Sequence, residues 1–310
     1  MPLIHGLRKP LCFLAAAVCP LRVRAVQTGD PWARRGRSGP PRGLDGFSKV
    51  VPVSALPLTP ALREESRDLV VVCHGPEYLA RGAFKLNNLP KGRVDVLARC
   101  VSSAIFLSHG VREQTRIWLQ LQEAGVTLCL DGGAVKGMHP DERSLAAAMK
   151  RTLSVAHGGA TPRDDVANGW STRRGSLGVL LAELQQQAPR PLLQLHEQGS
   201  VSLEDAVAEE EEEEAELRAS GEAAGDAREG GSSCPGAILV FGDQLGYTAE
   251  EDALIAELGG RRVTCSPRGL LTSHCIVLCH HALDTVGEAR AAASARAEGH
   301  DRTARGHFMK

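Results

Sequence analysis

Ala237-Ile238-Leu239-Val240-Phe241-Gly242-Asp243-Gln244-Leu245-Gly246-Tyr247-Thr248-Ala249-Glu250-Glu251 is the stretch whose reading decides the fold. It opens with a short apolar run, Ala237 to Phe241, of the kind that forms a strand covered on both faces. The run breaks at a Gly-Asp-x-x-Gly turn and restarts as a helix. Thr248 stands at the N-cap and Glu251 three residues on, the pattern of a capping box, with the helix expected to reach Leu258. Strand, glycine turn and helix in succession are the building unit of an α/β protein. Gly242 and Gly246 let backbone approach a ligand closely, and N–H groups near a helix start bind polar ligand atoms. The turn is not G-x-G-x-x-G, so it gives little support to a Rossmann dinucleotide site, and alone it is a common turn.

Working outward, the same alternation recurs. Leu69 to Cys73 reads as a strand, Asp95 to Ser108 as a helix with apolar residues at helical spacing, and Thr115 to Leu121 and Val126 to Leu130 as strands. Helices are expected over Asp141 to Leu153, where Pro140 and the acids suit an N-terminus, and over Arg174 to Gln187, closed by Pro189. Leu192 to Leu195 is a short strand. Arg262 to Cys265 and Ile276 to His280 are strand-like or buried apolar runs, and the chain from His281 is Ala-rich and helical. The order predicts an α/β fold with a largely parallel sheet. No internal repeat is present.

Two segments interrupt it. Residues 1–62 are rich in Pro, Gly and Arg and form no packed element. Within them Leu11 to Cys19 is apolar, lies between Arg8-Lys9 and Arg22, and no acid precedes Asp30. Two readings fit: a removable targeting segment, which would send the chain to a mitochondrion or plastid, or an extension without that role, leaving it cytoplasmic. Between Glu204 and Glu229 stand twelve acids and two arginines, including six consecutive glutamates from Glu209 to Glu214. Like charge mixed with Gly and Ser reads as a solvated linker, so the ordered domain is expected over 63–290 with an insertion at about 204–233 and a tail at 291–310.

Composition narrows the function. Net charge is -1, so RNA binding would need a local basic patch. Aromatics are 4% of the chain, too few for a base-stacking platform. No apolar run approaches the ~20 residues of a membrane span. The nine cysteines include no C-x-x-C pair and mostly sit in apolar runs, as buried thiols of a reducing compartment do. His274, Cys275, Cys279, His280 and His281 match no standard metal spacing, and no metal is expected. His274 is also poorly placed to activate its neighbour Cys275 as a nucleophile.

Three motifs remain. Leu89-Pro90-Lys91-Gly92-Arg93-Val94-Asp95-Val96-Leu97-Ala98-Arg99-Cys100 leads to Phe106-Leu107-Ser108-His109-Gly110-Val111-Arg112. Its arginines have the planar fork that suits phosphate, although an ordinary solvated helix would carry the same charges. The second motif is the Gly242–Gly246 turn. The third is Cys265-Ser266-Pro267-Arg268-Gly269-Leu270-Leu271-Thr272-Ser273-His274-Cys275. With Pro140-Asp141-Glu142-Arg143-Ser144, their order and spacing resemble the TrmY family of tRNA pseudouridine N1-methyltransferases over residues 69 to 284, apart from the acidic insertion. The resemblance implies a SPOUT-type fold, a parallel sheet flanked by helices with a C-terminal trefoil knot. It implies binding of S-adenosyl-L-methionine, a homodimer, and methylation of pseudouridine in tRNA at position 54. Residue by residue it carries cofactor contact to Leu195, Gly242 and Cys275, and to the loop holding Ser266, Pro267, Leu270 and Leu271. Two departures bear on substrate: Gln244-Leu245 stand where the family has His and Glu, and Ser102 where it has Asn. They leave open another RNA target, or a non-catalytic RNA-binding paralogue.

The implied reaction removes a proton from N1 of the base, so it needs a proton acceptor. Asp95 is the first candidate and His109 the second, while Arg93, Arg99 and Arg112 are candidates for RNA phosphates. Asp95 and Arg99, at i,i+4, equally suit a structural ion pair.

Overall fold

The computed structural model describes residues 66–156, 168–188, 190–209 and 236–306. Residues 1–62, with the targeting expectation, and most of the acidic insertion lie outside them. The central sheet has eight strands in the order β6-β5-β4-β1-β9-β7-β10-β8. In chain order these are β1 (Arg67–Cys73), β4 (Thr115–Leu121), β5 (Val126–Asp131), β6 (Trp170–Arg174), β7 (Leu192–Leu195), β8 (Val201–Ser202), β9 (Ala237–Gly242) and β10 (Arg261–Thr264). Strands β2 (Phe106–Leu107) and β3 (Gly110–Val111) form a separate hairpin. The helices are α1 (Val94–Ile105), α2 (Glu142–Ala156), α3 (Leu177–Gln187), α4 (Ala249–Glu257) and α5 (Thr272–Gly306). Strands β4, β1, β9, β7, β10 and β8 pair in parallel; β5 and β6 add antiparallel.

Alternation on β1 makes the sheet two-sided. Leu69, Val71 and Cys73 face one core with apolar residues of α1, α2 and α5. Val70 and Val72 face the other, where Leu177, Leu180, Leu181 and Leu184 of α3 pack with Ile255 of α4. Both faces are covered, which is why these parallel strands read as continuous apolar runs. One buried leucine or valine contributes about 1.5–3 kcal/mol.

Several boundaries differ from expectation. The first long helix ends at Ile105, not Ser108: Phe106 is extended, at φ -93 and ψ 138, and pairs with Val111. A short apolar run such as Ile105-Phe106-Leu107 fits either element, and hairpin pairing decides it. Arg174 closes a strand rather than opening a helix. Gly175 follows it, and α3 starts after Ser176, whose hydroxyl accepts the Val179 N–H. Strand β6, Trp-Ser-Thr-Arg-Arg, lacks apolar alternation and went unanticipated. Of the two readings of Ile276 to His280, the buried run holds rather than the strand: it lies within α5, with Ile276, Cys279 and His280 buried. The insertion begins later than residue 204, because 203–209 is helical and buries Leu203, Ala206 and Val207 in the core.

Candidate active site

The capping box is formed as read: Thr248 Oγ1 accepts the Glu251 N–H at 3.2 Å, and Glu251 Oε2 accepts the Thr248 N–H at 2.8 Å. It starts α4 at the carboxyl end of β9. In register, Gln194 lies beside Val240 and Val263 beside Leu195. The carboxyl ends of β7, β9 and β10 therefore open on the same edge, where open α/β sheets bind ligands.

A cleft of about 600 Å³ lies there. Leu195, His196, Glu197 and Gln198 line it from β7, Phe241 to Tyr247 from β9, and Thr264 to Cys275 from the loop after β10, with Pro267 and His274 excepted. Arg93, Val96 and Arg99 close it from α1. The size suits a small organic ligand of the drug-sized class, for which pockets run about 300–1,000 Å³.

Backbone approach is close throughout. A Cβ on Gly242 would lie 2.9 Å from Gly246 backbone atoms, and one on Gly269 would lie 2.5 Å from Glu197 Oε1. The Tyr247 hydroxyl lies 2.8 Å from the Val240 carbonyl and 3.1 Å from that of Leu195, tying β9 to β7. Burial, then the charge of Asp252, keeps this phenol well above its ordinary range. Thr272 donates to the Gly242 carbonyl at 2.7 Å, which brings the start of α5 onto the end of β9.

Charge is concentrated at the mouth. Arg93 has φ 59, the one positive φ among described non-glycine residues, and it follows Gly92 at φ 84. This left-handed turn costs about 1–2 kcal/mol and swings the chain into α1. Arg99 bridges Asp95 at 2.9 Å and Glu142 at 3.1 Å. Asp95 Oδ1 is buried, lies 3.6 Å from Arg93 Nε, and accepts no hydrogen bond. Cys265 and Cys275 line the cleft; the neighbouring Cys275 and Cys279 thiols hold Cys265 below its ordinary range, while Cys265 raises Cys275 and burial, then Cys265, raises Cys279.

A family model described as SAM-dependent RNA methyltransferase matches residues 69–212 and 202–288. A tRNA (pseudouridine(54)-N(1))-methyltransferase of Methanococcoides burtonii is 32% identical over 223 residues, 70% of this chain and 96% of its own. A relative of the same description from Halobacterium salinarum is 32% identical over 212 residues, 66% of this chain and 90% of its own. The chain belongs to the family of SAM-dependent RNA methyltransferases. Among solved structures, Archaeoglobus fulgidus Nep1 bound to S-adenosylhomocysteine aligns with a TM-score of 0.43 at 10% identity, covering 71% of this chain and 98% of that one.

The structure gathers most of the methyltransferase residues named from the sequence. Leu195, Gly242, Ser266, Leu270, Leu271 and Cys275 line the cleft, as do Arg93 and Arg99. Pro267 lies in the same loop without lining it. Asp95 sits behind the two arginines. His109 is exposed at the tip of the β2–β3 hairpin and does not reach the cleft. Arg112 also lies elsewhere: its two Nη atoms hold both oxygens of Asp284 at 3.1 and 2.9 Å, pinning α5. Ser102 donates to the Pro140 carbonyl at 3.0 Å. Sequence reading missed His196 and Glu197 and gave Tyr247 no role; only the pairing of β7, β9 and β10 brings them together. It also missed His74, for which no motif gave a signal. Among described residues there is no cluster of three or more metal-ligating side chains, and no helix is long and apolar enough to cross a membrane.

Proposed function

We propose that this chain methylates N1 of a pseudouridine in tRNA, at position 54 as the names of its relatives state. The observation that carries the reading is the cleft at the ends of β7, β9 and β10, with two arginines on its α1 wall. S-adenosyl-L-methionine supplies an electrophilic methyl group on a sulfonium when bound. The residues present fit it. Leu195, Phe241, Leu270 and Leu271 offer apolar walls for an adenine, the close-packed glycine turn and the 266–271 loop offer backbone polar groups, and Glu197 and Asp243 put acid beside a cationic ligand. Arg93 and Arg99 hold RNA phosphate at the mouth, and Asp95 positions both while keeping Oδ1 free to accept a proton or a base N–H. Holding two reactants in line is the main contribution such a site makes.

The reading extends to assembly and threading. Leu271, Val277 and Leu278 are exposed along the start of α5, which supports a homodimer across that face. The chain passes from β10, outside β7, across the end of β9 to α5, which packs on α1, a path that supports a trefoil knot. For the leader, organelle import of the tagged full chain is the expected result.

Full-length protein, S-adenosyl-L-methionine and tRNA bearing pseudouridine test the activity, with nucleoside mass spectrometry as readout. N1-methylpseudouridine at position 54, lost in Arg99→Ala, is expected. A 2′-O-methyl product, or methylation of ribosomal RNA alone, would move the substrate elsewhere. Absence of cofactor binding in folded protein would leave an RNA-binding paralogue. Full activity of Asp95→Ala would remove Asp95 from the site.

A further inference from the structure

His74 is the first residue past β1 and belongs to none of the motifs. Its backbone N–H donates to Asp243 Oδ2 at 2.6 Å, and its ring Nδ1 lies 3.3 Å from Asp243 Oδ1. Ring Nε2 lies 3.0 and 3.1 Å from the two oxygens of Glu251. Asp243 belongs to the Gly242–Gly246 turn of the cleft and also accepts the Leu245 N–H at 2.8 Å. Glu251 is the capping-box glutamate of α4 and accepts from Gln122 as well. The three side chains are 12%, 3% and 10% exposed, so water does little of this bonding.

A neutral imidazole has one N–H and one lone pair. Placed between two carboxylates, it would turn that lone pair on an anionic oxygen. The imidazolium has two N–H groups and satisfies both sides. We propose that His74 is a positioning residue of the cofactor site: as an imidazolium it bolts the Gly242–Gly246 turn to the cap of α4, making cofactor affinity pH-dependent. This rests on the cleft being the S-adenosyl-L-methionine site.

The surroundings favour the charged form. From β9 and its turn the facing group is Asp243. From α4 it is Glu251, since Asp252 is paired with Arg262 at 3.0 Å. Gln122 carries no charge. Cys73 on β1 and Cys100 on α1 stay neutral thiols, the second pushed up to about 12, both chiefly by burial. Burial opposes charging His74, but the hydrogen bond and field of Asp243, then those of Glu251, outweigh it and raise the pKa above the ordinary 6.5. The bridge is therefore complete below 6.5 and is lost as pH rises through the raised value.

Calorimetric titration of S-adenosylhomocysteine into the full chain from pH 6 to 9, with NMR titration of the histidine rings in cofactor-free protein, tests this. His74→Gln assigns the resonance and keeps a side chain that can bond one carboxylate only. The wild type is expected to lose affinity at least fivefold through the ring's own titration, above pH 6.5, and His74→Gln to bind more weakly with no such step. A ring titrating at or below 6.5, or the same pH profile in His74→Gln, overturns the proposal. Should that variant fail to fold, Glu251→Gln serves: it must lower the ring pKa and shift the affinity step with it. If the ligand binds at no pH, the functional reading falls, and the ring titration still decides the bridge.

Discussion

Asp68→Ala removes a carboxylate on which two buried guanidinium groups converge. Asp68 accepts from Arg116 Nε and Nη2 at 2.7 Å each, from Arg190 Nη1 at 2.6 Å, and from Trp118 Nε1 at 2.7 Å. The three charged side chains are at most 2% exposed. Removing one partner of a buried pair costs about 3–5 kcal/mol, because the other charge stays behind unpaired. Here two cations are left, which puts the loss near the upper half of that range, at about 4 kcal/mol. Adding four charged hydrogen bonds at about 1.5–3 kcal/mol each would overcount, since they act as a unit. Against a typical stability of ~5–15 kcal/mol the loss is large. With a urea slope of roughly 2–3 kcal/mol/M, the midpoint should fall by about 1.3–2 M. Asp68→Asn keeps the shape but not the charge and should lose nearly as much. The pH dependence has a definite sign. Burial pushes the carboxyl up, but Arg116 and Arg190 together outweigh it and hold it below its ordinary 3.8. Its stabilisation is complete above 3.8 and disappears as pH falls through the lower folded value, so the wild type should lose its advantage over Asp68→Asn only in strong acid. A loss under about 1 kcal/mol for Asp68→Ala would refute the reasoning, by showing that the arginines find water or other partners once the carboxylate is gone.

Three further outcomes are expected. Gly242→Ala places a Cβ 2.9 Å from the Gly246 backbone, and relieving such a contact costs about 1–3 kcal/mol. Cofactor affinity measured by calorimetry should then drop roughly 5- to 150-fold, and unchanged affinity would take the turn out of the site. Cys265, whose thiol is held below its ordinary range by the neighbouring Cys275 and Cys279, is the cleft thiol that iodoacetamide should alkylate first, and S-adenosylhomocysteine should slow it. Peptide mass spectrometry showing Cys275 modified as fast would contradict this. Arg112→Ala frees Asp284 from one of its two arginines at a partly exposed site, so the melt should fall by about 1 kcal/mol with tRNA affinity unchanged. Weakened RNA binding without a change in stability would restore Arg112 to the phosphate site.

How much of this was legible in the sequence depended on whether the signal was local. Leu69–Cys73 and Ala237–Phe241 announce buried strands because a parallel sheet covered on both faces needs apolar residues at every position. The Thr248–Glu251 capping box is closed within four residues and could be read directly. Strand β6 could not: Trp170-Ser171-Thr172-Arg173-Arg174 is an edge strand whose charges break the apolar alternation, and Arg173 is accommodated by Glu183 of the following helix, which receives it at 2.8 Å. The Phe106–Val111 hairpin was hidden because its apolar residues continue the helical pattern of α1.

The same division holds for the site. The Gly242 turn and the arginines of Arg93–Arg99 were visible because turn chemistry and charge spacing are written in consecutive residues, and the 266–275 loop was assigned only through the resemblance to the family. Arg99 and Arg112 look alike in sequence. Only the packing of α5 gives Arg112 to Asp284 and leaves Arg99 lining the cleft. His74 and Asp243 are 169 residues apart, and nothing near either one predicts their meeting. The sequence by itself determined the α/β alternation, the glycine turn and the family motifs, since these depend on neighbours in the chain. Which polar groups face the cleft and which carboxylates share a histidine was decided only when β9 inserted between β1 and β7, because hydrogen bonds and charges act over a few ångströms of space, whatever the separation along the chain.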